Sequence, residues 1–175
     1  MNTNQIYGYL ECFLQKFKCT FSVLPCDLLD GFKVEQYPLY LVVNTARSSH
    51  PGLHWVTLFR QRKKSPLLFL DSYGFDIQNY DQNFSTFARQ LNVKVISGKR
   101  RLQSWTSNVC GHYAINFVYE LSKSNGCIDS VYHQFSSDPI RNDRLVRKLV
   151  SKKICKLTYV FPTKIQCCNK FCENC

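Results

Sequence analysis

No apolar run in this chain approaches the roughly 20 consecutive residues that a bilayer-spanning helix needs, although 45% of its residues are hydrophobic. A transmembrane helix is therefore not expected. A secretory leader is not expected either: Met1-Asn2-Thr3-Asn4-Gln5 is polar and uncharged, and Glu11, Gln15, Lys16 and Lys18 interrupt the apolar residues that follow. Without a route to an oxidising compartment, the ten cysteines are expected to be free thiols in an intracellular setting, not a disulfide framework. Internal repeats and low-complexity tracts are also lacking, so 175 residues are read as one domain over 1–162. A cysteine-rich tail, 163–175, follows it. Acidic residues are scarce. Twelve Asp and Glu face 23 Lys and Arg, a formal charge of +11, which makes a polyanionic partner an expectation.

The apolar spacing assigns the elements. Ile6, Tyr9, Leu10, Phe13, Leu14 and Phe17 fall at helical intervals and predict an amphipathic helix over 5–19. Pro25, Asp27, Asp30-Gly31 and Pro38 punctuate a connection to a short apolar strand at 39–44. Strands at 53–59 and 67–71 are joined by Gln61-Arg62-Lys63-Lys64-Ser65-Pro66 and read as a meander. A helix over 79–91 and a strand over 93–96 follow. Asp138-Pro139 has the form of an N-cap with proline at the first helical position, opening a basic helix to about Lys153, and 157–161 is read as a closing strand. The fold class expected is α/β (α+β), with a mixed, mostly antiparallel central sheet flanked by helices.

Chemistry concentrates between residues 54 and 110. Asn108-Val109-Cys110-Gly111 runs into a segment with apolar residues at 114, 117, 118 and 121, which is helical spacing. A thiol in the first turn of a helix faces unpaired N–H groups and the positive dipole end, and both favour the thiolate. His54 opens a strand, from which an imidazole can reach a thiol. Asp71 closes the neighbouring strand, about 4.8 Å away, from which a carboxylate can orient that imidazole. Gln103, seven residues before Cys110, can donate its amide to an oxyanion beside the Cys110 N–H. Gly111 is read as allowing substrate backbone close to the nucleophile, with Trp55 beside it as a substrate-binding residue. Each of these residues alone also has a bland reading, as a structural histidine, a turn aspartate or a loop glutamine.

At these residues the chain resembles the adenovirus-type cysteine endopeptidases, the adenain family, including relatives encoded by virus-like mobile DNA elements. Val43-Asn44-Thr45-Ala46 with Gly52-Leu53-His54-Trp55 is similar to the family's histidine segment. Gln103-Ser104 through Asn108-Val109-Cys110-Gly111 is similar to its glutamine and nucleophile segment, with the same spacing. The resemblance implies an adenain/SUMO-protease-like fold, with His54 as base, Asp71 as third member, Cys110 as nucleophile and Gln103 in the oxyanion hole. It implies cleavage of precursor capsid or core proteins at glycine-containing sites during particle maturation, in the host nucleus or the virion, by a monomer. It also implies DNA and a viral activating peptide as cofactors. The chain departs from the family at Asp71, where the adenovirus enzymes commonly carry glutamate. Asp71-Ser72-Tyr73-Gly74 is closer to the SUMO-protease branch, which keeps a ubiquitin-like-protein deconjugating enzyme open as an alternative. Residues 28–109 contain no cysteine, which argues against a disulfide-linked activator. A third alternative is a basic, capsid-associated DNA-binding protein with a degenerate protease fold.

For non-specific DNA the candidate contacts are Arg60, Arg62, Lys63, Lys64, Lys99, Arg100, Arg101 and one face of the late helix, Arg141, Arg144, Lys148 and Lys152. The tail cysteines Cys167, Cys168, Cys172 and Cys175 contain one C-x-x-C, too little to expect a metal.

Overall fold

The computed structural model describes residues 1–160, with side chains of the last helix described through Lys153. The elements run α1 (Thr3–Leu14), β1 (Thr20–Pro25), a 3-10 turn (Cys26–Leu29), β2 (Leu39–Asn44), β3 (Trp55–Arg60), β4 (Leu67–Leu70), a 3-10 turn (Ile77–Asn79), α2 (Gln82–Gln90), β5 (Val95–Gly98), α3 (Cys110–Lys123), α4 (Ile128–Tyr132) and α5 (Pro139–Val160). The strands form one mixed sheet in sequential order, β1-β2-β3-β4-β5.

The three central strands are apolar on both sides because both faces are covered. Leu39, Leu41, Val43, Val56, Leu58, Leu67 and Phe69 pack against α2 and the first 3-10 turn. Their alternating neighbours Tyr40, Val42, Phe59, Leu68 and Leu70 pack against α1, α3 and α5. Two helical layers thus enclose the sheet. Phe59, Phe69, Phe84, Phe87 and Phe117 are among the largest fully buried side chains, each contributing on the order of 1.5–3 kcal/mol of burial free energy. No described helix is long and apolar enough to cross a membrane.

Three expectations are corrected. β2-β3-β4 is an antiparallel meander, but β1 runs parallel to β2 and β5 parallel to β4, so the sheet is evenly mixed. α1 ends at Leu14, and the chain past it becomes β1, whose alternation is weak because its first three residues are only half-buried. The segment 157–160, read as a strand, continues α5. Adding a residue to a formed helix gains one hydrogen bond without new nucleation, and no glycine or proline interrupts the sequence before Pro162. The tail 163–175 and its cysteines lie outside the described residues.

Candidate active site

β3 and β4 are antiparallel, with Thr57 opposite Leu70, so the residue before β3 and the residue after β4 meet at one end of the sheet. Those residues are His54 and Asp71. His54 Nε2 lies 2.5 Å from Asp71 Oδ1, and Asp71 is 0% and His54 8% exposed. Three further donors hold the carboxylate: the Tyr73 N–H on Oδ1 at 3.0 Å, and the Phe75 N–H and Tyr80 hydroxyl on Oδ2, each at 2.9 Å. A buried carboxylate with four donors is fixed in place.

α3 packs across β3 and delivers Cys110 to the same end. Val109, its N-cap, offers no side-chain acceptor, so the first-turn N–H groups remain available to the sulfur. The His54 imidazole and the backbone N–H groups of Trp55 and Gly111 lie close enough to the Cys110 sulfur to favour its thiolate. With Nε2 committed to Asp71, Nδ1 is the ring nitrogen left for the thiol. Burial opposes charge on the imidazole, but the hydrogen bonds and charges of Asp71 and Cys110 outweigh it and push His54 up to about 9. Burial likewise opposes the thiolate, and the bond to His54, its charge and the two N–H groups overcome that to bring Cys110 below the ordinary thiol value. Both shifts favour the thiolate–imidazolium form of the pair over the neutral form.

Gln103 is wholly buried on the loop before α3. Its Oε1 accepts from the Ser72 hydroxyl at 2.7 Å, and its Nε2 donates to Ser107 O at 2.9 Å and makes a long 3.3 Å contact with Tyr73 Oη. An aromatic wall continues from the histidine. Tyr73 stacks on His54 at 4.7 Å, and Trp105, 57% exposed, stacks on Tyr73 at 4.9 Å under the Arg101 guanidinium. A cleft of about 390 Å³ lined by His54, Tyr73, Phe75, Asn79 and Tyr80 opens there. A larger depression, about 920 Å³, lies between α2 and β5, and neither cysteine nor histidine lines it.

Other expected residues are placed differently. The Trp55 indole is buried and donates to Met1 O at 3.2 Å. A Cβ on Gly111 would meet Met1 Cβ at 3.1 Å and Ile6 Cδ1 at 3.3 Å. The side chain missing at Gly111 thus makes room for the N-terminal segment, where substrate backbone was expected. His112 is held neutral, brought down to about 4 by burial and by Arg147.

Arg60 cannot meet phosphate. It is 2% exposed, and its guanidinium donates to Ser65 O, Lys63 O and the Tyr37 hydroxyl, closing the β3–β4 turn. Arg62, Lys63 and Lys64 on that turn are exposed, about 20 Å along β3 from His54. Lys99 and Arg101 are exposed, whereas the Arg100 guanidinium is tied to Tyr132 O, Phe135 O and Ser136 O. Arg141, Arg144, Lys148 and Lys152 share the exposed face of α5, opposite the buried Val146 and Val150. Among the described residues no group of three or more His, Cys, Asp or Glu side chains is placed to hold a metal ion.

Sequence reasoning did not find Ser72, Tyr73, Tyr80 or Trp105. Ser72 and Tyr73 carried a signal, the Asp71-Ser72-Tyr73-Gly74 run in which they follow the aspartate. The aromatic wall joins residues whose local patterns are those of ordinary loops. No family model matches the chain, and no curated protein is significantly similar to it.

Proposed function

We propose that the protein is a cysteine endopeptidase with Cys110 as nucleophile, His54 as base and acid, and Asp71 as the group that orients His54. One observation carries this reading: the His54 imidazole is hydrogen-bonded to the buried Asp71 carboxylate and lies within electrostatic reach of the Cys110 thiol at a helix N-terminus, so that each of the pair shifts the other towards its charged form. In the reaction, the Cys110 thiolate forms a bond to the peptide carbonyl carbon and the carbonyl electron pair moves onto oxygen. The Gln103 amide and the Cys110 N–H donate to that oxyanion. As the C–N bond breaks, imidazolium His54 passes its Nδ1 proton to the leaving amine. Neutral His54 then takes a proton from water, whose oxygen attacks the thioester and returns the thiolate.

The substrate class under this reading is a viral-type precursor protein cut at glycine-containing sites, in the nucleus or the particle. Support for glycine is physical: the Tyr73 ring, stacked on His54 at 4.7 Å, narrows the approach to the nucleophile. DNA as a stimulating partner is supported by the exposed cations Arg62, Lys63, Lys64, Lys99, Arg101 and the α5 face, which suit phosphate contacts without base reading. A peptide activator has an open place at β5, the last strand of the sheet.

A second reading, removal of ubiquitin-like modifiers, is favoured by the aspartate at position 71. Labelling with an electrophilic Gly-Gly substrate analogue tests the site in wild type, Cys110→Ala and His54→Ala. Modification confined to Cys110 and dependent on His54 is expected, and modification of another cysteine removes the assignment. Cleavage of a glycine-rich precursor peptide against an intact ubiquitin-like fusion separates the two substrate classes. If neither cleavage nor selective Cys110 alkylation occurs, with or without DNA, a non-enzymatic DNA-binding role takes their place.

A further inference from the structure

The carboxamide of Gln103 has two ends, and only one of them can stabilise an oxyanion. Which end faces the reaction is decided by its neighbours. Ser107 O is a carbonyl and can only accept, so the group 2.9 Å from it must be the Nε2 amine. The opposite end is then Oε1, and the Ser72 hydroxyl 2.7 Å away must donate to it. A second clamp comes from the main chain: Ser72 O accepts the N–H groups of both Leu102 and Gln103, at 2.8 and 2.9 Å. Ser72 is 1% exposed and Gln103 0%, so water does not compete for these bonds. One Nε2 proton is committed to Ser107 O. The other makes only the long contact to Tyr73 Oη at 3.3 Å, the weaker of the two bonds and the one most readily exchanged for a stronger acceptor.

We propose that Ser72 is a positioning residue for the oxyanion hole, holding the Gln103 carboxamide by its hydroxyl and the Gln103 main chain by its carbonyl, so that the N–H weakly engaged by Tyr73 Oη is presented to the developing oxyanion. This rests on the proteolytic reading above. It also couples the two halves of the site, since Asp71 sets the imidazole while the next residue sets the oxyanion donor. Preorganisation of this kind raises turnover without adding a substrate contact.

The test is steady-state kinetics on a cleavable Gly-containing peptide with wild type, Ser72→Ala, Gln103→Ala and the double variant, alongside iodoacetamide alkylation of Cys110. Alkylation at sulfur forms no oxyanion, so its rate and pH profile stay at the wild-type level in folded Ser72→Ala. Meanwhile kcat falls on the order of 10-fold with KM nearly unchanged, less than the 10²–10³ typical of losing the donor itself. In the Gln103→Ala background the serine change has little further effect. If Ser72→Ala does not fold, Ser72→Thr against Ser72→Val gives the same comparison, two side chains of one shape differing in the hydroxyl. An unchanged kcat, or equal losses with and without Gln103, overturns the role of Ser72 while leaving the protease intact. Absence of wild-type turnover overturns the proteolytic reading, and this inference with it.

Discussion

Replacing Asp71 by asparagine exchanges one buried oxygen for an amide nitrogen and removes the charge that faces His54. Both carboxylate oxygens are acceptors in the native protein: Oδ1 takes His54 Nε2 and the Tyr73 N–H, and Oδ2 takes the Phe75 N–H and the Tyr80 hydroxyl. Asparagine retains one such oxygen, so whichever way it turns, its amine meets a backbone N–H. An unpartnered buried donor costs about 1–3 kcal/mol, and the variant should be destabilised by that amount. The effect on ionisation of the thiol is separate. Lifting His54 from 6.5 to about 9 corresponds to about 3 kcal/mol in favour of imidazolium, shared between Asp71 and Cys110. Without the aspartate, Cys110 should return towards its ordinary 9.0, where about 1% is ionised at pH 7. The assay is the alkylation rate of Cys110 against pH, with a thermal midpoint to verify folding. Wild type should react across neutral pH. Asp71→Asn should be slower at pH 7 and should regain its rate as pH approaches 9. Superimposable profiles for the two proteins would refute the argument that Asp71 holds the ion pair.

The same pair governs a pH effect on stability. His54, raised in the folded state, contributes stability that is complete below 6.5 and lost as pH rises through about 9; Cys110, lowered, contributes stability present above 9.0 and lost as pH falls through its folded value. The two slopes oppose each other, because the His54 contribution falls with rising pH while the Cys110 contribution grows. Cys110→Ala should therefore acquire a loss of stability with rising pH above 6.5 that wild type lacks, and thermal midpoints from pH 6 to 9 that stay parallel would contradict this. Arg60→Ala should cost about 2–3 kcal/mol through the carbonyls it leaves unpaired yet leave DNA affinity unchanged when folded. Replacing Arg62, Lys63 and Lys64 together should reduce the slope of log K against log salt by up to about 2–3, and salt titrations showing the reverse ranking would undo the assignment. At Gly98, an added Cβ would lie 1.8 Å from the Tyr132 hydroxyl and 2.9 Å from Leu70 Cδ2. Gly98→Ala should accordingly destabilise by about 1–3 kcal/mol in denaturant unfolding.

What the sequence determined by itself was local. The spacing of Ala114, Phe117, Val118 and Leu121 places Cys110 in the first turn of a helix, since a helix is closed by bonds between near neighbours. The runs 39–44, 53–59 and 67–71 announce buried strands, and a short turn between the last two forces the residues bordering them, His54 and Asp71, to one end of the sheet. Only the tertiary structure decided what fills the space around those groups. Ser72 and Gln103 are 31 positions apart and Met1 and Trp55 are 54 apart, and no periodicity links such residues. For the same reason a run of basic side chains read the same at Arg60 as at Arg62, until the fold turned one inward to close a loop and left the other to solvent. Backbone bonding follows sequence neighbours, whereas the orientation of an amide, the partner of a buried charge and the use of a missing Cβ follow from segments that meet only when the layers pack.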